Sequence, residues 1–309
     1  MKNRLLKLTL LSFAAVSLIA FSGCKKQTTG GEESQGASSS SSESAEAQSG
    51  SGGESKVVKI SYVNWAEGVA LSQLVEEMLT NMGYEVKLTM ADVGPIYASV
   101  AKGDQDVMLE TWMPVTHKDY WDQYSDDFEQ LGVWFENAKI GLVVPEYMEI
   151  SSITELNSIK DKLKGQITGI DAGAGITKTT ETAIEKYGLD YTLLTSSGPA
   201  MTASLKSAID KNNPIVVTGW APHWKFARYD LKFLDDPKGV YGSAEEIRMT
   251  CREGFKEDMP KVAEFLSSIK FNNAQIGTLM DAMANADGDK KAALKAWMAE
   301  NQQLINSWK

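Results

Sequence analysis

The chain is short of cysteine, of histidine and of positive charge, and each shortage closes a class of function. Among 309 residues only Cys24 and Cys251 are cysteines. That is too few for a disulfide framework, and no C-x-x-C pair exists to hold zinc or carry out redox chemistry. Two histidines, His117 and His223, leave little material for a metal centre, so neither a metal nor a cofactor is expected. With 31 Lys and Arg against 41 Asp and Glu the formal charge is −10. Such a chain repels a phosphate backbone, and no run of basic residues offsets this, which excludes nucleic acid as a partner. Also missing are G-x-S-x-G, H-E-x-x-H, a phosphate loop and a supported cysteine–histidine pairing. An α/β enzyme is therefore only a remote alternative. Hydrophobic residues, by contrast, make up 43% of the chain. They suffice for one large core or two ordinary ones, since single cores stop growing near about 250–300 residues.

The first residues read as an address. Lys2, Arg4 and Lys7 precede a 14-residue, mostly apolar run from Leu8 to Phe21, then Ser22-Gly23-Cys24. The run is shorter than the ~20 residues that span a bilayer. It resembles a bacterial lipoprotein signal peptide, 1–23, with Phe21 where the pattern usually has Leu. The resemblance implies cleavage before Cys24, a lipid on its sulfur, and attachment to a membrane. Three positive side chains leave with the peptide, so the mature chain would carry −13. From Lys25 to Lys56 there are ten serines, six glycines and no Leu, Ile, Val or aromatic residue. Nothing there offsets the entropy of ordering it. Residues 24–56 thus read as a lipid anchor and a disordered tether, about 30 Å from end to end as a coil.

Beyond the tether, short apolar runs alternate with helical patterns. Strands are predicted at 57–63, 85–90 and 106–109, with helices at 67–82 and 96–102. The rhythm recurs as a strand into Gly169-Ile170-Asp171, a helix near 177–187, a strand at 191–195, a helix through Lys211 and a strand at 214–218. The alternation predicts an α/β fold. Its recurrence predicts two similar lobes, 57–145 and 146–240, with 241–309 as a C-terminal helical segment packing on one of them. Matched marks support the duplication: Gly94-Pro95 with Gly198-Pro199, Gly83-Tyr84 with Tyr187-Gly188, and Trp112-Met113-Pro114 with Trp220-Ala221-Pro222. Two such lobes imply a ligand cleft between them.

Trp65, Trp112 and Trp220 each stand where a predicted strand runs out toward that cleft. A single tryptophan is best read as core, but three at matching exits point to a site. A quaternary ammonium has no N–H to donate, and its diffuse charge suits the face of an indole, at roughly 0.5–2 kcal/mol per ring. Trp121, Trp134, Trp224, Trp297 and Trp308 lack that placement and read as structural. His223 reads as part of a turn, Glu110 as a solvated or hinge carboxylate, and Cys251 as a buried apolar residue. Gly173-x-Gly175 also resembles a dinucleotide fingerprint, but Lys178 occupies the place of its third glycine.

These residues together resemble the substrate-binding lipoproteins of bacterial glycine betaine ABC importers. The carriers are Val63-Asn64-Trp65-Ala66-Glu67, Gly94-Pro95, Glu110-Thr111-Trp112-Met113-Pro114-Val115-Thr116-His117-Lys118, Gly169-Ile170-Asp171-Ala172-Gly173-Ala174-Gly175-Ile176, Pro199-Ala200-Met201-Thr202, Thr218-Gly219-Trp220-Ala221-Pro222-His223-Trp224 and Asp235-Asp236-Pro237-Lys238. The family commonly has Pro where this chain has Ala172. The resemblance implies a two-lobed, hinge-closing fold, periplasmic-binding-protein-like of type II. It implies that Trp65, Trp112 and Trp220 surround a trimethylammonium group, while His117 and the amides of Gly175 and Ile176 hold a carboxylate. A helix start is suited to that second task. The ligand would be glycine betaine or a related quaternary-ammonium osmoprotectant, or, as an alternative, choline or carnitine. The partner would be the membrane permease of an importer on the extracytoplasmic face.

Overall fold

The computed structural model describes residues 56–286 and 288–308. The expected signal peptide, Cys24 and all of the tether but Lys56 lie outside them. Strand β1 (Val57–Tyr62) turns Val58 and Ile60 inward and Lys59 outward. Helix α1 (Ala66–Asn81) follows, with Leu71, Leu74, Val75, Met78 and Leu79 on one buried stripe at the spacing of a core-facing helix. It stops before Gly83, whose φ of 94° suits glycine and closes the helix end. Then come β2 (Glu85–Met90), α2 (Val93–Ala101), β3 (Val107–Met113) and α3 (Lys118–Tyr124). The three strands lie parallel in the order β2-β1-β3.

The chain next runs along one strand of 18 residues, β4 (Phe128–Pro145). The pattern of the first half then repeats as β5 (Gln166–Thr168), α4 (Gly175–Tyr187), β6 (Thr192–Leu194), α5 (Gly198–Asp210) and β7 (Val217–Ala221). Here the parallel order is β6-β5-β7, the same winding. Helix α6 (Lys225–Arg228), β8 (Leu231–Phe233) and β9 (Glu245–Arg252) follow. The chain ends in α7 (Phe255–Asp258), α8 (Pro260–Ser268), α9 (Asn273–Ala284), α10 (Lys290–Glu300) and α11 (Gln302–Asn306). Among the described residues no helix is long and apolar enough to cross a membrane.

Two of the predicted boundaries need correction. The segment 241–309 is not wholly helical, because it opens with β9, which lies antiparallel between β3 and β4 and completes the first sheet. Nor do the halves divide at residue 145. Strand β4 pairs with β9 from Phe128 to Ala138 and with β7 from Lys139 to Val143, so the change of partner falls at Ala138 and Lys139. One strand can belong to two sheets when its ends hydrogen-bond to different neighbours. Glu245, opposite Ala138, brings the chain back beside its outward crossing. The C-terminal helices settle on the first half: Phe271 donates its N–H to the Trp134 carbonyl at 2.8 Å, and its ring meets those of Trp134 and Trp308 at 6.1 and 5.0 Å.

Asn137 precedes the change of partner and has φ of 61°, beside an irregularity in the β4–β9 register. Asn tolerates the left-handed region and β-branched residues do not. Because the side chain is exposed, packing does not confound a substitution. Asn137→Val should cost about 1–2 kcal/mol in urea unfolding, while Asn137→Gly should stay within a few tenths. Equal losses for both would mean that the backbone conformation at the crossing is not what Asn137 supplies.

Candidate ligand-binding site

The fold brings five chain segments to one place. Trp112 lies near the end of β3, Trp220 lies in β7 opposite Ile140 of β4, and Trp65 is the residue that caps the start of α1. All three indoles are buried. They line one small, tight cavity with Glu67, Thr116, Ile140, Ile170, Ala174, Gly175 and Ile176. Of the predicted site residues, Trp65, Trp112, Trp220, Gly175 and Ile176 thus come together. His117 is not among the lining residues. It is fully buried, with its ring tilted against that of Trp65 at 5.8 Å.

The donors follow from local structure. The first amides of a helix have no partner within it. In α4 the Ala174 N–H is used by the Asp171 carbonyl, and the Thr177 N–H by the Ala174 carbonyl. That leaves the Gly175 and Ile176 amides, at the positive end of the helix dipole, on the cavity wall. The glycine is required there by close approach, because a Cβ at 175 would lie 1.8 Å from the Thr116 carbonyl oxygen of the first half. His117 Nδ1 accepts from the Trp112 N–H at 3.2 Å, which puts the imidazole hydrogen on Nε2, where it has no partner. Burial pushes this imidazole down to about 3, so it is neutral near pH 7. The indole N–H of Trp112 is likewise buried without an acceptor.

Several residues that matter here did not stand out in the sequence. Glu67, in the first turn of α1, lines the cavity and accepts from Trp220 Nε1 at 2.9 Å, tying the two halves together. Trp65 Nε1 makes a second cross-tie to Asp171 at 3.2 Å, and Tyr120 a third, from its hydroxyl to the Gly173 carbonyl at 2.8 Å. Glu245, almost fully buried at the return crossing, accepts from the Val115 and Thr116 amides at 2.7 and 2.8 Å and so holds the loop that carries Thr116. Glu110 is not a solvated carboxylate: it is buried beside Glu67, and burial raises it well above the usual range. The available signal for Glu67 was its place two residues after Trp65, where an acid also reads as an ordinary partner of a helix start.

The remaining predicted residues take bland places. His223 Nδ1 accepts from the Lys225 N–H at 3.0 Å, a turn contact, and its ring edge meets Trp220 at 4.9 Å. Cys251 is buried and its thiol is pushed up to about 12 by burial, leaving it unreactive. Trp134 and Trp297 spend their N–H groups on the Leu109 carbonyl and the Thr278 hydroxyl. Among the described residues no group of three or more His, Cys, Asp or Glu is placed to hold a metal ion. A larger cavity of about 390 Å³ shares Trp65 and Trp220 as walls, but Lys206, Arg228 and Lys290 line it without any acid. Its charge has the wrong sign for a cation, and only the smaller cavity joins aromatic faces, a carboxylate and free amides.

Residues 56–300 match the family model described as the substrate-binding domain of ABC-type glycine betaine transport systems. The glycine betaine/carnitine transport binding protein of Listeria monocytogenes is 44% identical over 151 residues, 48% of this chain and 50% of that protein. The match thus spans about half the length of that relative. Lactococcal OpuAC, solved closed with glycine betaine, superposes with a TM-score of 0.77 at 35% identity, over 82% of this chain and 99% of that one. An ABC-transporter choline-binding protein in complex with choline gives 0.76 at 26% identity, over 82% and 91%.

The contact of Gly175 with Thr116 provides a test of closure. Gly175→Ala must separate the halves or strain the loop, at about 1–3 kcal/mol. Ligand binding should weaken by roughly tenfold to a hundredfold, while small-angle scattering shows a larger radius. Unchanged binding with an unchanged radius would show that the close approach is not needed.

Proposed function

Because the chain belongs to the family of substrate-binding domains of ABC-type glycine betaine transport systems, we propose that it captures glycine betaine or a related methylated ammonium compound outside the cytoplasm and hands it to a membrane permease. One observation carries this reading: three indoles, the Glu67 carboxylate and the first two residues of α4, Gly175 and Ile176, line one cavity between the halves. The indole faces and the acid suit a cation that cannot donate a hydrogen bond. The amides suit a carboxylate, which must lose its water on entering and needs donors already in place. A zwitterion of betaine size satisfies both ends. The family is one of transport binding proteins, not of enzymes.

His117 is assigned to the carboxylate end through its Nε2–H, which is buried without a partner beside the Trp65 ring. Binding energy is gained only when both halves touch the ligand, so the ligand favours the closed arrangement. Choline is the second reading, since it shares the cationic head and a similar fold binds it. Calorimetry with glycine betaine, proline betaine, carnitine and choline tests the proposal directly. Trp65→Ala, Trp112→Ala and Trp220→Ala should each weaken glycine betaine and choline alike, by about tenfold or more. Trp297→Ala should lower stability and leave binding intact. His117→Ala should weaken glycine betaine far more than choline. Equal losses for the two ligands would remove the histidine from the carboxylate site, and choline as the tightest ligand would overturn the betaine assignment.

We also propose that Cys24 carries the lipid that keeps the protein at the outer face of the cell membrane. The support is the sequence Ser22-Gly23-Cys24 at the end of an apolar run and the polar stretch behind it. One acyl chain binds a membrane only marginally, so more than one is expected. Cys24→Ser should release the protein and leave affinity unchanged; the variant found as mature protein in the membrane fraction would exclude the anchor.

A further inference from the structure

The box tryptophan Trp220 is held by two buried groups of opposite sign that the capture of a betaine does not by itself require. At its edge, Nε1 donates to Glu67 at 2.9 Å; over its face, Lys225 Nζ lies 4.2 Å from the ring centroid and donates to the Trp220 carbonyl at 3.2 Å. Glu67 and Lys225 are fully buried. Glu110, on β3, reaches the same place: it is 5% exposed, and its Oε2 would lie 1.9 Å from a Cβ on Gly68. Both oxygens of Glu110 and Oε1 of Glu67 are buried with no hydrogen-bond partner.

The titratable groups facing this cluster are few. They are Glu67 from α1, Glu110 from β3, Tyr97 from α2, His117 from the loop after β3, and His223 and Lys225 from the turn into α6. Burial holds both histidines and Tyr97 neutral. Charge therefore resides on three groups. Burial raises Glu110 well above the carboxylate range and Glu67 to about 7, and lowers Lys225 to about 7 against the pull of Glu67. A dry cluster must be close to neutral. With Glu110 protonated and one further proton held between Glu67 and Lys225, the three sum to zero.

We propose that Glu67, Glu110 and Lys225 form a proton-linked counter-charge that distinguishes zwitterions from simple cations. The inference rests on the quaternary ammonium occupying the tryptophan box. A betaine brings its own carboxylate, so the site stays neutral and the proton inventory is unchanged. Choline brings a positive charge alone. Neutrality then requires that the Lys225 Nζ–H bond break, with the proton passing to the buffer and the electron pair staying on nitrogen. Glu67 becomes the counter-ion of the ligand. The same indole is relieved of a competing cation. The sign follows: the deprotonated cluster binds choline, so choline affinity rises with pH. Linkage sets the slope at about tenfold per pH unit while the free protein still holds that proton. Glycine betaine affinity stays flat over the same range.

Titration calorimetry of the full chain at pH values around 7, in buffers of different ionisation heat, counts the protons. Choline binding should release about one proton per site and glycine betaine close to none. Equal release for both ligands, zero or one, overturns the inference and leaves the box reading intact. So does glycine betaine binding with no choline binding at the alkaline end. If neither ligand binds, the box reading itself fails and the inference falls with it. In Glu67→Gln the release with choline should vanish, and choline should lose at least about tenfold more affinity than glycine betaine. Release that persists in a folded Glu67→Gln protein would overturn the role of Glu67. Near-ultraviolet circular dichroism reports folding, and the buffer comparison on the unmodified protein decides the matter if that variant does not fold.

Discussion

The hydrogen bond from the Trp220 indole to Glu67 joins the two halves of the molecule at the wall of the cavity. Glu67 is fully buried and an unpaired buried carboxylate is costly, and this bond exists only where the second half is docked against the first. The other cross-ties have the same dependence. Trp65 needs Asp171, and Tyr120 needs the Gly173 carbonyl. Two of the three donors, Trp220 and Trp65, line the cavity themselves. Docking the halves and shaping the cavity therefore depend on the same atoms.

The outward and return crossings lie side by side at Ala138 and Glu245. Asn137 supplies a left-handed backbone at an irregularity in the ladder. Glu245 also accepts from the amides of Val115 and Thr116. The residue that ends the return crossing thus holds the loop against which Gly175 closes. One buried carboxylate thus links the crossing to the loop at the cavity wall.

The duplication explains how so small a cavity acquires two chemically distinct ends. Both halves wind in the same strand order, and both supply walls of the cavity. The first half contributes Trp65, Trp112 and the acid; the second contributes Trp220 and the start of α4. A helix start offers amides and a favourable dipole to an anion, and indole faces offer negative potential to a cation. Docking the two similar units brings both kinds of group to one cavity.

The sequence by itself determined the α/β class, the repeated winding and the three strand-exit tryptophans, because periodicity and turn residues act over short distances along the chain. It also carried the glycine turn at 173–175, since only a residue without Cβ admits the Thr116 carbonyl so close. The period-two alternation of Ile247, Met249 and Cys251 with Glu246 and Arg248 was present, but on its own a short alternating run does not say which neighbours it pairs with. The double membership of β4 was hidden for the same reason: partners along a strand are set by what packs beside it. Glu67, Glu110 and Lys225 are three charged residues far apart in the chain, and any of them alone reads as a solvated side chain. Only the tertiary structure, by burying them together against one indole, decided that their charges must be shared, because removing water makes neutrality a property of the group.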